Sequence, residues 1–322
     1  MILISGCTAT GKTEVGVKVC QLLEKAEIVS VDSRQVYRYM DVGTAKPLLE
    51  ERRGIPHHLI DCLFPTQNIS AGEYSRRAWI IINEMQVRGI TPVLVGGSGL
   101  YWQAILNGFY GDDPNHKRHR ANIRKRLQNI GHKDLYSELK LVDPIGCERI
   151  SKKDHKRIVR ALEVFYEDGI PISQKWLNDE QNISQLNSNR LMISIHRPRT
   201  VLYNRINERV EKMLKTGLVD EVQNILTMYE DLTIPAINAI GYKEIISYLN
   251  KNIDICTAKD LIAQNTRRFA KRQVTLMTKD RRFRKMDIER IGIDDCAKQI
   301  VENYNRLHPF KSIKSFDSRF QP

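Results

Sequence analysis

The stretch that decides the fold is MILISGCTATGKTEV, residues 1–15. Within it, residues 6–13 (GCTATGKT) match the phosphate-loop pattern G-x-x-x-x-G-K-[ST] without a gap. An apolar strand pattern, Ile2 to Ile4, precedes the motif, and an apolar-periodic helix is predicted from Thr13 to Lys25. Between strand and helix, backbone N–H groups and the helix N-terminus can face an anion. The alternative is a glycine-rich turn with a chance lysine, but this context favours a di- or triphosphate site.

Two side chains of the motif carry the expected chemistry. Lys12 reaches the terminal phosphate as a point charge, and the Thr13 hydroxyl binds a phosphate-bridging Mg²⁺, which is the expected cofactor. The motif does not define the reaction, because many transferases and hydrolases share this loop.

Composition excludes several classes of protein. The 322 residues, 41% of them hydrophobic, suffice for one large or two modest globular domains. No apolar run approaches the roughly 18 residues of a membrane span. The six cysteines are far apart, which predicts reduced thiols and no zinc site. The first strand is predicted from residue 1, without room for a signal peptide, so we expect a cytoplasmic protein that does not contact a membrane.

Charge is concentrated in two segments of the chain. The net charge is +13; residues 116–160 carry 14 Lys and Arg against 5 Asp and Glu, and residues 267–286 carry 9 against 1. These segments therefore contribute +9 and +8, and the rest of the chain sums to −4. Two long basic surfaces suit a polyanion, nucleic acid first. The alternative is a pair of solvated helix faces.

The first hundred residues alternate between strand and helix patterns, which predicts a parallel sheet covered on both faces. The predicted strands are 1–5, 27–33, 57–62 and 92–96, with helices at about 72–88 and after Gly99.

From about residue 112 the pattern becomes helical and basic. Helices are predicted at 115–130, 132–141 and 154–167, then a strand at Leu191–His196, then helices at 199–216, 217–229, 240–250 and about 257–283. The predicted fold class is α/β, a P-loop core with a parallel sheet, a helical insertion domain and a helical C-terminal half. The predicted boundaries are 1–112 with 186–307 for the core, 113–185 for the insertion and 308–322 for a loose tail.

Several polar residues follow predicted strands, at the edge where open α/β sheets bind ligands. Asp32 can contact a metal or a substrate proton there, or it can cap a turn. Gln35 can pair bidentately with an adenine edge. The alternative, that Gln35 binds no ligand, fits its position equally well. The glycines of 96–99 (GGSG) allow a ligand to approach the backbone closely. Arg199 and Arg205 offer cations to a departing pyrophosphate.

These residues resemble one family, the bacterial tRNA dimethylallyltransferases, also called tRNA isopentenyltransferases. The resemblance covers roughly residues 1–275, and its most specific segment is VDSRQVYRYMDVGTAKP at 31–47. The other similar segments, in chain order, are GCTATGKT, IPHHLID, VLVGGSGLYWQAIL, RIVRALEV, LYNRINERVEKMLKTGLVDEV, AIGYKEIISYL and FAKRQVT.

The resemblance implies a function. A dimethylallyl group would pass from dimethylallyl diphosphate to N6 of the adenine that is 3′-adjacent to the anticodon in tRNA, with release of diphosphate. The phosphate loop would then hold a pyrophosphate leaving group rather than an ATP to be hydrolysed. The implied partners are the tRNA anticodon stem-loop and dimethylallyl diphosphate, the insertion would contact tRNA, and we expect a monomer.

The resemblance also assigns site residues. Asp32 would be the general base, with Thr8 close to the same reacting centre, and Thr13 would bind the metal. The diphosphate would be held by Gly6, Thr8, Ala9, Thr10, Gly11, Lys12, Thr13, Arg199 and Arg205. The residues contacting tRNA would be Asp32, Ser33, Arg34, Gln35, Ser98, Lys156, Arg157, Ile158, Val159, Arg160, Ala239, Ile240, Gly241, Tyr242, Lys243, Glu244, Lys271, Arg272, Gln273, Val274 and Thr275.

The sequence departs from the family pattern at two places. Leu276, Met277 and Thr278 stand where the family usually has an aromatic pair and an arginine, and Cys7 replaces a frequent proline. Three other functions remain open: prenylation of free adenine nucleotides, a small-molecule kinase, and RNA binding without catalysis. The first would place the prenyl group on AMP, the second would turn over ATP, and the third would leave the phosphate loop and Asp32 without a role.

Overall fold

A six-stranded sheet forms the centre of the protein. In this computed structural model, residues 1–108, 125–177, 190–229 and 234–308 are described. All strand pairs of the sheet are parallel, in the order β3-β2-β4-β1-β5-β6. The strands are β1 (Ile2–Gly6), β2 (Ala26–Val31), β3 (His57–His58), β4 (Thr91–Gly96), β5 (Leu191–His196) and β6 (Arg284–Asp287). The predicted α/β class with a parallel sheet is therefore confirmed.

The central strands are buried along their whole length. Every residue of β1 and β4 is buried, as expected for near-continuous apolar strands that are covered on both faces. Ile2 pairs with Val93 of β4 on one side and with Leu191 of β5 on the other. Because the strands are parallel, their carboxyl ends meet at one edge, where Gly6 and Val31 end β1 and β2.

Helices connect and cover the strands. In chain order they are α1 (Lys12–Leu23), α2 (Leu49–Arg52), α3 (Ala71–Val87), α4 (Gly99–Asn107), α5 (His132–Val142), α6 (Pro144–Arg149), α7 (His155–Asp168), α8 (Arg199–Lys215), α9 (Leu218–Met228), α10 (Tyr242–Leu249), α11 (Ile255–Lys279), α12 (Ile288–Ile291) and α13 (Ile293–Leu307), with a 3₁₀ turn at Pro235–Asn238. In the part of the chain that the structure describes, no helix is long and apolar enough to cross a membrane.

The chain divides into two compact units. One combines Met1–Ile69, Arg77–Trp102 and the chain from Asn189 onward, and the other combines Ser70–Arg76 with Gln103–Ser188. The first unit contains the sheet, with α1 and α13 in a shared apolar core that includes the strands. The second has its own core, built from α5, α7 and neighbouring residues. The predicted domain boundaries at 112 and 186 fall outside the described residues and stay predictions.

Two predicted elements differ from the structure. The strand predicted at 57–62 ends at His58, because Leu59 and Asp61 have φ angles of 60° and 55°, in the left-handed region that a strand cannot use. The C-terminal half, predicted as helical throughout, contains β6. Arg284 and Lys285 of β6 are exposed, so this edge strand has no apolar pattern by which sequence could identify it. The helical prediction at 115–124 and the tail beyond 308 lie outside the described residues.

Candidate active site

The phosphate loop, residues 6–13, joins β1 to α1 at the carboxyl edge of the sheet. Ala9 and Gly11 turn the backbone, with φ angles of 64° and 93°. The hydroxyl of Thr10 donates to the Cys7 carbonyl at 2.8 Å and closes the loop. Gly11 is the N-cap of α1 and brings no capping side chain. The N-terminal N–H groups of a helix and its dipole together favour an anion at this place.

Three cationic side chains, one from the phosphate loop itself and two from outside it, donate to carbonyl oxygens of the loop. The bonds run from Lys12 Nζ to Cys7 at 3.4 Å, from Arg205 Nε to Ala9 at 3.0 Å, and from Arg197 Nε to Thr10 at 3.0 Å. The cations strengthen the positive potential around the loop, which favours phosphate.

A cavity of about 390 Å³ lies within the first unit, beside the phosphate loop. Thr8, Lys12 and Thr13 line it, and so does Asp32, which follows β2. The volume is typical of a small-ligand site. Further predicted site residues line the same cavity: Ser33, Arg34, Gln35, Ser98, Ala239, Ile240, Gly241, Lys243, Arg272 and Gln273. The structure thus brings the predicted base, the phosphate loop and three of the predicted tRNA segments together.

Asp32 caps a turn and also lines the cavity. Its Oδ1 accepts the backbone N–H groups of Arg34 at 2.8 Å and Gln35 at 3.4 Å, so the carboxylate caps the turn after β2. Burial lowers the pKa of Lys12 and of Arg209, and the Asp32 carboxylate opposes this shift at both cations. Asp32 therefore lies in the field of two partly desolvated cations.

Arg209 is a site residue that the sequence analysis missed. It lies four residues after Arg205 on α8, a spacing that places both on one helix face. Its Nη2 donates to the carbonyl oxygen of Thr44 at 3.2 Å. Arg209 lines the 390 Å³ cavity together with Lys12 and Asp32. In the sequence, the four-residue spacing from Arg205 to Arg209 within RINER is the signal that indicates a shared helix face.

Arg199 is not placed where the sequence analysis expected it. It begins α8, is exposed, and its guanidinium lies 5.0 Å from the centre of the Tyr203 ring. Arg197, two residues earlier, instead donates to the phosphate loop and pairs with Glu289. The difference follows from where β5 ends: Arg197 still lies at the sheet edge, whereas Arg199 belongs to the exposed first turn of the helix.

A second cavity of about 620 Å³ shares part of its lining with the first, since Lys12, Thr13, Ala45 and Arg209 line both. Its charged lining is strongly basic and consists of Lys12, Lys18, Arg53, Arg205, Arg209 and Lys212 against Glu14, Glu51 and Glu208. Such a lining suits an anion with several negative charges.

The side chain of Gln35 is held at both ends of its carboxamide. Oε1 accepts the Ser30 hydroxyl at 3.1 Å, and Nε2 donates to the Ala45 carbonyl at 3.3 Å. The hydroxyl of Ser98 accepts the Ser33 N–H at 2.9 Å and links the glycine-rich turn after β4 to the turn after β2. These bonds fix the orientation of the polar groups at the cavity wall.

Gln273, predicted to contact tRNA, is buried and bonded within the protein. Its Oε1 accepts the Thr8 N–H at 3.0 Å and its Nε2 donates to the Gly97 carbonyl at 2.8 Å. A Cβ at position 97 would lie 2.6 Å from this Nε2, so glycine allows the contact. Gln273 therefore joins α11 to the phosphate loop, and its carboxamide is already engaged by backbone groups.

Several other predicted tRNA residues have buried side chains, because they form the cores beneath the expected contact surfaces. They are Ile158, Ala239, Tyr242 and Glu244. Glu244, for example, accepts the Gly241 N–H at 2.7 Å at the start of α10. We therefore expect side-chain contacts with RNA from exposed neighbours instead, such as Lys243 on α10 and Lys271 on α11. Val274 and Thr275 are also exposed on α11.

The remaining predicted tRNA residues belong to the second unit. Lys156 and Arg157 are exposed in the first turn of α7. Val159 is half-buried, and Arg160 Nη1 donates to Glu163 Oε2 at 3.1 Å. Lys156 and Arg157 thus present their charge on the surface of this unit, where Arg157 Nε lies 3.3 Å from Asp154 Oδ2, and Arg160 is paired with Glu163.

The oxygen donors at the phosphate loop fit Mg²⁺. Mg²⁺ in phosphate sites keeps several waters and uses few protein ligands besides substrate oxygens, and the Thr13 hydroxyl at the start of α1 is such a ligand. Among the residues with described positions, no group of three or more His, Cys, Asp or Glu side chains could hold a metal ion.

Known proteins provide an independent comparison. A family model described as IPP transferase matches residues 35–280. The tRNA dimethylallyltransferase of Sulfurihydrogenibium sp. is 39% identical, with 95% of this chain and 97% of that protein covered. The tRNA dimethylallyltransferase of Carboxydothermus hydrogenoformans is 40% identical, with 94% and 96% covered. The crystal structure of tRNA delta(2)-isopentenylpyrophosphate transferase from Staphylococcus epidermidis superposes with a TM-score of 0.69 at 34% identity, covering 95% of this chain and 98% of that one. The family predicted from the motifs is thereby confirmed: the chain belongs to the tRNA dimethylallyltransferases.

Proposed function

We propose that this protein transfers a dimethylallyl group from dimethylallyl diphosphate to N6 of the adenine 3′-adjacent to the anticodon in tRNA, releasing diphosphate. One observation carries the proposal: a single cavity is lined by the phosphate-loop residues Lys12 and Thr13 and by the carboxylate of Asp32. A prenyl transfer to an amine needs both, an anion site for the leaving group and a proton acceptor for the nucleophile.

The diphosphate binds the ammonium of Lys12 and backbone N–H groups of the phosphate loop after Thr8, whose own N–H donates to Gln273. Arg205 and Arg209 add positive charge from α8, and we propose them in place of the pair Arg199 and Arg205. The Thr13 hydroxyl would hold Mg²⁺, whose chemistry at this place is to neutralise charge on the diphosphate oxygens. Preorganised cations of this kind stabilise the charge that develops on a leaving group.

Asp32 takes the proton of the adenine amine. An exocyclic amine is a poor nucleophile because its lone pair is delocalised into the ring. As the N–C bond forms, the C–O bond to the diphosphate breaks and its electron pair leaves with the pyrophosphate. The turn bonds at Oδ1 orient the carboxylate, and we assign the proton to Oδ2.

Gln35 lies at the cavity wall and is the proposed reader of the adenine edge. The tRNA backbone would contact exposed cations on three helices, among them Lys156, Lys243 and Lys271. We propose a monomer as the active form. Because tRNA is the proposed substrate, we propose the cytoplasm as the place of the reaction.

The test is a transfer assay with two acceptors. The protein is incubated with labelled dimethylallyl diphosphate and Mg²⁺, and with unmodified tRNA or AMP. We expect label in tRNA, prenylated adenosine after digestion, and one pyrophosphate released for each group transferred. Label on AMP alone would assign the protein to nucleotide prenylation, and ATP turnover without prenyl transfer would assign it to the kinases.

A further inference from the structure

The segment 41–45 (DVGTA), here called the strap loop, is part of the most specific motif of the sequence, yet the proposed reaction gives it no role. Three consecutive backbone N–H groups of this loop donate to a single carboxylate, that of Glu221 on α9. Asp41 and Val42 donate to Oε2 at 2.8 and 2.7 Å, and Gly43 donates to Oε1 at 3.0 Å. Hydrogen bonds to an ionised acceptor are about twice as strong as neutral ones, so Glu221 holds the strap loop firmly.

Tyr242 completes the arrangement from α10. Its hydroxyl donates to Glu221 Oε1 at 2.6 Å, and the ring is fully buried. Burial raises the pKa of Tyr242 well above its ordinary value, and Glu221 raises it further, so the phenol remains a donor. A Cβ on Gly43 would lie 2.5–2.7 Å from the Tyr242 ring and hydroxyl, so glycine lets the loop rest against the ring.

The carbonyl groups of the strap loop hold two residues of the site. Thr44 accepts Arg209 Nη2 at 3.2 Å, and Ala45 accepts Gln35 Nε2 at 3.3 Å. Thr44 and Ala45 themselves line the 390 Å³ cavity. A continuous set of hydrogen bonds therefore runs from Glu221, through the strap loop, to the cation Arg209 and the carboxamide of Gln35.

We propose that Glu221 is a positioning residue for the transfer reaction: by fixing the strap loop it sets the guanidinium of Arg209 toward the diphosphate and the carboxamide of Gln35 toward the adenine. This inference rests on the proposed function. Glu221 does not line the cavity, so its effect on the reaction passes through the two residues that do.

The main variant is Glu221→Gln, which keeps the size of the side chain but replaces one acceptor oxygen by a donor facing N–H groups. We expect kcat to fall about 10- to 100-fold, as for a misplaced positioning group. The matched control is Asp220→Asn, the neighbouring exposed carboxylate on the same helix, which should keep normal kcat. Should Glu221→Gln fail to fold, Tyr242→Phe removes only the donor to Oε1 and should show a smaller loss of the same kind.

A double-mutant cycle separates positioning from simple stabilisation. The effect of Glu221→Gln is measured in the natural protein and in an Arg209→Gln, Gln35→Ala background. If Glu221 acts through these two residues, its substitution should lower kcat/KM by less than about threefold in that background. An equal loss in both backgrounds would show that Glu221 only stabilises the fold and would overturn the inference.

A binding measurement makes the test independent of transfer activity. Inorganic pyrophosphate with Mg²⁺ should raise the Tm of the natural protein and of Asp220→Asn, and should raise that of Glu221→Gln clearly less, because Arg209 is no longer held. An unchanged pyrophosphate shift in Glu221→Gln would overturn the Arg209 part of the inference. If the natural protein transfers no dimethylallyl group but the shift still depends on Glu221, the proposed function fails while the positioning role stands.

Discussion

The phosphate loop and the strap loop are both held by charged side chains, but with opposite polarity. Around the phosphate loop the partners are cations, Lys12, Arg197 and Arg205, and they bond to carbonyl oxygens. At the strap loop the partner is the anion Glu221, and it bonds to N–H groups. The phosphate loop is therefore surrounded by positive charge, whereas the N–H groups of the strap loop already bind the carboxylate of Glu221.

The difference shows how the same backbone groups serve two purposes. Consecutive N–H groups form an anion site. Where the protein supplies the carboxylate, as Glu221 does, the loop becomes a fixed support. At the phosphate loop the charged partners bond to carbonyl oxygens, and the loop favours a phosphate from outside. Asp32 lies in the field of two cations: Lys12 of the phosphate loop, and Arg209 of α8, which donates to the strap loop at Thr44.

The largest expected effect is at Asp32, which lies in the field of Lys12 and Arg209. Asp32→Asn should lower kcat by about 10²–10⁴-fold, the usual contribution of a general base, with the apparent affinity for tRNA changed by less than roughly tenfold. Asparagine keeps an acceptor for the Arg34 and Gln35 N–H groups, so urea unfolding should stay near that of the natural protein. Steady-state kinetics with unmodified tRNA provide the measurement.

Two other outcomes at Asp32 would change its assignment. A near-normal kcat in Asp32→Asn would leave the carboxylate as a turn cap, and the base would lie elsewhere. Loss of binding of Mg²⁺ and diphosphate, measured by calorimetry, would place Asp32 among the metal ligands.

The next largest effect is expected at the phosphate loop. Lys12→Ala should lower kcat/KM for dimethylallyl diphosphate by about 10²–10³-fold, as when one preorganised contact to developing charge is lost. The Kd for tRNA, measured by filter binding, should stay the same. Lys298→Ala, an exposed lysine on α13, is the control. A loss of tRNA affinity as large as the loss of rate would contradict a ligand anion site at this loop.

A smaller effect, on tRNA binding, is expected from the exposed cations at the start of α7, which belong to neither loop. Reversal of Lys156 and Arg157 to glutamate should weaken tRNA binding and lower the slope of log K against log salt by about 2 or less, since each phosphate contact contributes roughly 0.9 or less. The KM for dimethylallyl diphosphate should not change, and Lys298→Glu should leave the slope unaltered. An unaltered slope in the double variant would mean that this basic helix end is only a solvated surface.

The smallest effects are expected from one glycine in each loop. Gly11→Ala places a side chain at a φ of 93° but in ordinary contact, with Arg197 Nη2 nearest at 3.7 Å, so about 1–2 kcal/mol of unfolding free energy should be lost to backbone strain. Gly43→Ala instead meets the Tyr242 ring, and overpacking typically costs about 1–3 kcal/mol.

Urea unfolding with a second substitution distinguishes the two causes. Tyr242→Leu should couple to Gly43→Ala and relieve part of its cost, whereas it should add independently to Gly11→Ala. Additive behaviour at Gly43 would mean that the strap loop does not depend on its contact with the ring.

What sequence could predict depended on how local the signal was. The phosphate loop and the buried strands are contiguous patterns, and the structure contains them. The edge strand β6 has one buried residue, Met286, and depends on pairing with β5, so its own residues do not identify it. Strand β3 is shorter than predicted because the backbone of Leu59 adopts a left-handed conformation. A leucine does not by itself indicate such a conformation, so the sequence could not predict where the strand ends.

The site followed the same rule. Lys12 and Asp32 could be assigned because each belongs to a short motif at the end of a strand. Glu221 meets the strap loop across 178 to 180 positions of sequence, and no spacing encodes such a contact. The position of Arg209, four residues after Arg205, is a weak signal in the sequence. Its hydrogen bond to the Thr44 carbonyl is seen only in the fold. The tRNA assignments at Tyr242 and Gln273 came from segments whose buried members support exposed ones.

The position of β1 in the sheet has a consequence for synthesis on the ribosome. This strand lies between β4 and β5, and β5 begins only at Leu191. After β4 is made, translation at about 5–20 residues per second adds the intervening chain in roughly 5–20 s. During that interval one side of the central strand lacks its partner in the nascent chain. Native pairing of β1 is thus completed late, and the speed of translation through the insertion sets how long the unpaired backbone N–H and C=O groups of this edge stay open to chaperones or to other nascent chains.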